Sequence, residues 1–382
     1  MKAVGHIAII RQCYRSDGGA EKIIERTLSE LNKYDLSLSV IARSWEREFG
    51  RDGQFVECNP KYKGRVERER SFANEVHNII STHTFDLIQS HERIPGCDIY
   101  RAGDGVHQVW LEQTARCRSW VGNWWANKSP FHHYILTAER IMFEHSSLKA
   151  VICNSNMVRD EILDRFNIAP EKLVVIYNGV DTEVFNPSVK ISRNKIRDEL
   201  NLSDDSTVFV FVGSGFERKG LRACIRALSS VDGDVHLLVV GRDKNKKKYS
   251  DLAKKLGIED QIHFVGVQRD VRPFYGAADA LLLPTLYDPF SNVILEAMAC
   301  GLAVITSHKC GGAELIEEGV NGFICDALAV ETISGFMRDM VENRLCEKMG
   351  LAARKLVEPY TLENMSSQLI GLYERLLSCH KN

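Results

Sequence analysis

The chain has 382 residues, of which 44% are hydrophobic and 26% charged, and its formal net charge is −2. That length exceeds one ordinary domain and suits two, each with its own core. The near balance of charge argues against a dedicated nucleic-acid binder, which shows as a strongly basic domain, and no apolar run approaches the length that spans a bilayer.

From the N-terminus, Met1 to Ile10 carries one charge and a short apolar stretch. This is too little for a secretory signal, so it reads as a first buried strand. Short Val- and Ile-rich runs then alternate with longer amphipathic stretches, the pattern of a parallel sheet with crossover helices. The first half offers strands at His6–Ile10, Leu36–Ala42, Phe85–Ser90, Ala150–Asn154 and Lys172–Tyr177. A second series begins at Thr207–Gly213 and continues with Val235–Gly241, Gln261–Val265, Ala280–Pro284 and Ala303–Thr306. The turn-rich stretch Asn178 to Pro187 and the charged segment Lys190 to Glu199 separate the two series. The expected domains are 1–178 and 179–360, and a last helix after Tyr360 has no strand behind it. None of the eleven cysteines falls in a C-x-x-C pair and their number is odd. That predicts a reducing compartment, the cytoplasm, with neither a disulfide framework nor a zinc site.

Several loops carry chemistry. Gly18-Gly19 follows the first strand and opens a helix; paired glycines let backbone approach a ligand, and equally make a plain turn. Gly103-Asp104-Gly105 with His107 follows a short apolar run, as a loop reaching a ligand or as a turn. Phe209 to Gly220 is a buried strand, a flexible turn and then two adjacent cations, Arg218 and Lys219, entering a helix. Fixed cations beside a helix start stabilise the charge of a departing diphosphate. Asp232-Gly233-Asp234 has the D-x-D form of a metal site, but its place between a helix and a strand reads as a hairpin-like connector. Lys244 to Lys248 reads as a solvated loop. No Gly-x-x-x-x-Gly-Lys-Ser/Thr run occurs, which excludes a P-loop.

The most informative stretch runs from Tyr287 to Gly301. Asp288 lies in a loop after a buried strand, and Glu296 lies in the helix that the loop opens. Ser291, Asn292 and Val293 fall at the helix start, where backbone N–H groups favour anions. One segment can thus hold sugar hydroxyls, phosphate and ribose; the plain alternative is a turn before an ordinary helix.

Taken with Gly18-Gly19, Arg218-Lys219 and Asn178-Gly179-Val180-Asp181, this segment resembles the retaining glycosyltransferases of family 4. Gly213–Gly220, Ile94–Tyr100 and the run from Ala138 to Glu144 resemble most the lipopolysaccharide core glucosyltransferases that act on heptose. The resemblance implies a GT-B fold: α/β, two Rossmann-like doubly wound parallel-sheet domains facing a cleft, with the closing helix 361–382 crossing back to the first. It implies that Glu296 binds the ribose, Asp288 the donor sugar, and Ser291 to Val293 the phosphates and sugar. Arg218 and Lys219 would hold the diphosphate, and Val267 and Gln268 would lie near the base. Asp104, or else His107, would lie near the anomeric carbon. The first acid is usually Glu in the family and is Asp288 here, one methylene shorter.

The implied reaction is retaining, without metal or other cofactor, and moves a hexose from a nucleotide sugar, UDP-glucose by resemblance, to a glycolipid or oligosaccharide acceptor. A sugar-nucleotide epimerase and a non-catalytic nucleotide-sugar-binding protein are the alternatives. Four of the five tryptophans, Trp110, Trp120, Trp124 and Trp125, crowd into residues 107–134 among Arg116, Arg118 and Lys128. Tryptophan and basic residues favour the headgroup level of an anionic bilayer. That predicts peripheral contact with the inner face of the cytoplasmic membrane, the alternative being that these aromatics pack inward or line an acceptor site.

Overall fold

The structure, a computed structural model, describes residues 5–13, 36–44 and 53–378. The chain divides into two compact units, Met1–Asn178 with Leu362–Asn382, and Gly179–Thr361.

The first unit is built on a parallel seven-stranded sheet in the order β3-β2-β1-β4-β5-β6-β7. The strands are β1 (Gly5–Ile10), β2 (Leu36–Ala42), β3 (Gly53–Glu57), β4 (Leu87–Ser90), β5 (Ile99–Arg101), β6 (Ala150–Cys153) and β7 (Leu173–Val175). Ile7 pairs with Leu38 on one side and Leu87 on the other, so β1 is central and buried on both faces, which explains its unbroken apolar run. One face carries Ile7, Ile9, Leu38 and Val40, and the closing helix Leu362–Ser378 covers it with Met365, Leu369 and Tyr373. The Tyr373 hydroxyl donates to Gln89 Oε1 at 2.8 Å, which satisfies both polar groups inside that core. The opposite face packs Ile10 and Ile41 against Phe72 and Val76 of the helix Arg65–Thr82.

The second unit has a parallel six-stranded sheet in the order β10-β9-β8-β11-β12-β13. Its strands are β8 (Thr207–Val212), β9 (Val235–Val240), β10 (Ile262–Gly266), β11 (Ala280–Leu283), β12 (Ala303–Ser307) and β13 (Gly322–Cys325). Here too the order reverses at the centre, between β8 and β11. The crevice beyond the carboxyl ends at such a reversal is where open α/β sheets bind ligands.

Three strands escaped the sequence reading. β5 has only three residues and ends in a charged one, Arg101; β3 is an edge strand of mixed polarity, and β13 is an edge strand of four residues that opens on glycine. The lysine run also differs from expectation: Lys246 opens the helix Lys246–Leu256, and Lys248 pairs with Glu217 at 3.2 Å. Ten cysteines are free thiols among the described residues.

Candidate active site

The loop after β8 and the loop after β11 converge at the reversal of the second sheet. Gly220 adopts φ 85°, and a Cβ there would collide with the Pro284 carbonyl, so only glycine lets the two loops close on one another. Leu286 N–H and the Thr285 hydroxyl donate to the Arg218 carbonyl at 2.8 and 3.0 Å, tying the loops together. The side chains then meet. Lys219 Nζ donates to Asp288 Oδ2 at 2.6 Å and to Ser291 Oγ at 3.2 Å, and Arg218 reaches the same Oδ2 and the Tyr287 carbonyl at 3.2 Å each. Lys219, Asp288 and Ser291 are all buried.

Burial alone would push the Asp288 carboxyl up, but Lys219 and then Arg218 outweigh it and hold the group below its ordinary range. The backbone of Asp288 is fixed as well, donating to the Lys309 carbonyl and accepting from Gly311 N–H, both at 2.9 Å. Ser291 is the N-cap of the helix Asn292–Ala299, yet its hydroxyl makes no capping bond and is held by Lys219 instead. The ammonium group therefore stands beside a helix start, and both contribute positive potential at one point.

Glu296 lies further along that helix. Its Oε2 accepts from the hydroxyl of Tyr275, a fully buried side chain whose pKa is raised by burial and then by Glu296 itself. Tyr275 comes from the helix Arg272–Ala277 and was not foreseen; the sequence separation hides the contact. After β10, Val267 is exposed, and Gln268 is anchored through its Nε2 to the Val265 carbonyl at 2.8 Å.

In the first unit, Asp104 is well exposed and lies 3.9 Å from Arg93. Arg93 also donates to the Gly105 carbonyl at 3.0 Å and to Glu139 at 2.9 Å. Glu139 is fully buried, and both of its oxygens accept from His107 N–H, at 3.0 and 3.1 Å. This pair, which the sequence did not disclose, clamps the Asp104–His107 loop and caps the helix His107–Ala115 from a distance. His107 shares a hydrogen bond with His132 at 3.0 Å. Burial first, then Arg93, His132 and Arg65, lower its pKa to about 3, so the ring is neutral near pH 7. Gly18 and Gly19 lie outside the described residues.

The D-x-D element is a connector from helix to strand in an all-parallel sheet, not a hairpin. Asp234 spends its carboxylate on Ser206 at 2.5 Å and His236 at 2.7 Å. Among the described residues no group of three or more His, Cys, Asp or Glu side chains could hold a metal ion.

This architecture is that of a glycosyltransferase of the GT-B class. Residues 17–184 match Glycosyltransferase Family 4 and residues 192–356 match Glycosyl transferases group 1. The chain belongs to the family 4 glycosyltransferases. It is 26% identical over 328 residues to the lipopolysaccharide glucosyltransferase WaaG of Escherichia coli K12, covering 84% of this chain and 85% of that one. The crystal structure of WaaG superposes with a TM-score of 0.81 at 24% identity, covering 96% and 99% of the two chains. HepE from Anabaena, solved with UDP and glucose, shares the fold with a TM-score of 0.71 at 19% identity, over 97% and 100%.

Proposed function

We propose that the chain transfers glucose from UDP-glucose, with retention and without a metal, to the core of a membrane-held glycolipid. The observation that carries this is the pairing of Lys219 and Arg218 with Asp288 at the start of the helix Asn292–Ala299. Two fixed cations and a helix start supply at one point the charge that a divalent ion supplies elsewhere.

In this reading the diphosphate lies against Arg218, Lys219 and the backbone of Ser291 to Val293. Glu296, held by Tyr275, takes the ribose, and Val267 and Gln268 flank the base. Asp288 reaches the sugar hydroxyls, and Lys219 keeps that carboxylate ionised and aimed. As the bond from C1 to the diphosphate oxygen breaks, its electron pair stays on the phosphate. The acceptor oxygen bonds to C1 on the same face, and its proton passes to the departing phosphate. Asp104 near the anomeric carbon follows the family resemblance. Support for the donor comes from HepE, crystallised with UDP-glucose, and for the acceptor from the relative named as a lipopolysaccharide glucosyltransferase.

Membrane contact is proposed through residues 107–134. The helix Trp120–Asn127 buries none of its side chains, and Trp120 and Trp125 are 81% and 66% exposed. No helix among the described residues is long and apolar enough to cross a membrane. Calorimetry with UDP-, ADP- and GDP-glucose tests the donor: UDP-glucose should bind at least tenfold more tightly, and a preference for either other base overturns that assignment. Sedimentation with anionic vesicles tests the dock, which is wrong if a folded Trp120, Trp124, Trp125→Ser variant binds as wild type does.

A further inference from the structure

The helices His107–Ala115, Trp120–Asn127 and Pro130–Phe143 surround a cavity of about 360 Å³ in the first unit, a size within the roughly 300–1,000 Å³ range of small-molecule sites. Its wall is mixed, with Arg118, Asn123, Asn127 and His132 set among apolar positions such as Leu111 and Leu136. Glu112 also lines it, but that carboxylate is engaged by Arg165 at 2.7 Å and Gln108 at 3.2 Å. Arg118 has no carboxylate partner among the described residues; its guanidinium stands 5.5 Å from the centre of the Trp110 ring. Arg65 is likewise without one, 4.0 Å from the Phe131 ring. Between the two lies His132, 5.5 Å from Phe131 and 5.9 Å from Trp110.

These groups define a positive field over hydrogen-bonding amides. His132 registers that field, since burial and then Arg118 and Arg65 lower its pKa. The Asn123 carboxamide donates to the Ala115 carbonyl at 3.1 Å, while its oxygen is buried without a partner among the described residues. Asn123 is thereby fixed in the wall, and the cavity's reachable polar groups are Arg118, Asn127 and His132. A purely apolar ligand would strip water from Arg118 and return nothing.

Position adds a constraint. On the helix Trp120–Asn127, residues three and four apart share a face. Trp120 and Trp124 point to solvent, and Asn123 with Asn127 line the cavity on the adjoining face. A glycolipid whose acyl region met the tryptophans would offer its sugars to the cavity.

We propose that this cavity binds an acceptor sugar bearing a phosphate or carboxylate, with Arg118 holding the anion and Asn127 and His132 the hydroxyls. The proposal rests on the transferase reading and narrows it, since it makes the acceptor acidic.

The test measures binding of mannose 6-phosphate to the whole chain by calorimetry and by Trp110-sensitive fluorescence, with mannose, inorganic phosphate and phosphatidylglycerol vesicles as further arms. UDP affinity is measured on the same proteins. Mannose 6-phosphate should bind saturably and more tightly than mannose or phosphate. Arg118→Gln should weaken it about tenfold, the loss of one charged contact, Arg118→Lys should recover part of that, and UDP affinity should stay unchanged. Absent saturable binding, equal binding by Arg118→Gln, or equal binding of inorganic phosphate overturns the proposal. So does binding of the vesicles alone that is lost in Arg118→Gln, which would assign the cation to lipid headgroups. Loss of UDP binding by wild type, with mannose 6-phosphate still held, would sink the transferase reading and leave this site standing.

Discussion

Replacing Lys219 with methionine separates catalysis from architecture at the most constrained point of the site. The ammonium group is 7% exposed as a residue and bonds Asp288 and Ser291. If it stabilises the departing diphosphate, its loss should raise the barrier by about 3 kcal/mol, a fall in turnover of roughly 150-fold. The same substitution strands part of the Asp288 charge. Removing one partner of a buried pair costs about 3–5 kcal/mol, and the cost here should fall at or below the lower end because Arg218 remains 3.2 Å from the carboxylate. Adding Asp288→Asn to Lys219→Met removes the stranded charge. The melting temperature of the double variant should therefore return toward that of wild type while turnover stays depressed. The assay is initial-rate kinetics beside thermal unfolding for wild type and the two variants. Turnover of Lys219→Met within a few-fold of wild type would refute the electrostatic role. So would a double variant that regains activity along with stability.

If the Tyr275 hydroxyl aims Glu296 at the ribose, Tyr275→Phe and Glu296→Gln should each weaken UDP several-fold by calorimetry; Asp288→Asn should leave UDP affinity within a few-fold and impair transfer. Equal effects of Glu296→Gln and Asp288→Asn on UDP would contradict that division. The unfolded chain protonates His107 near its ordinary 6.5, whereas the folded chain does so at about 3. Stability is then fully present above that upper value and lost as pH falls toward the lower one, on the order of 1 kcal/mol per pH unit. His107→Gln should flatten the urea midpoint over that window, and an unchanged slope would show that the ring is not buried neutral.

The central strands were legible because a parallel strand covered on both faces is apolar along its buried run, as Ile7–Ile10 of β1, Val208–Val212 of β8 and all of β11 are. β5 was not, since it ends in Arg101, a buried guanidinium whose solvation is replaced by a contact distant in sequence, with Asn178 at 3.0 Å. The two acids and two cations were legible as separate motifs. The contact of Asp288 with the cations was not, because 69 residues separate Lys219 from Asp288 and the loops are joined by the close approach at Gly220 and by bonds to the Arg218 carbonyl. Glu139 lay within the Ala138–Glu144 run, but its pairing with Arg93 carried no local signal: a buried ion pair from a loop and the middle of a helix looks in sequence like two surface charges. The tryptophan cluster was visible, but whether it faced inward required the fold, which leaves Trp120 and Trp125 outside and Trp110 beneath Arg118.

The most direct test of the account is the configuration of the product. The chain is incubated with UDP-α-D-glucose and a heptose-terminated core oligosaccharide in excess EDTA, and the new linkage is read by NMR. An α-glucoside formed at an undiminished rate is the predicted result. A β-glucoside would contradict retention, and transfer that stops in EDTA and resumes with magnesium or manganese would contradict the assignment of the metal's role to Arg218 and Lys219.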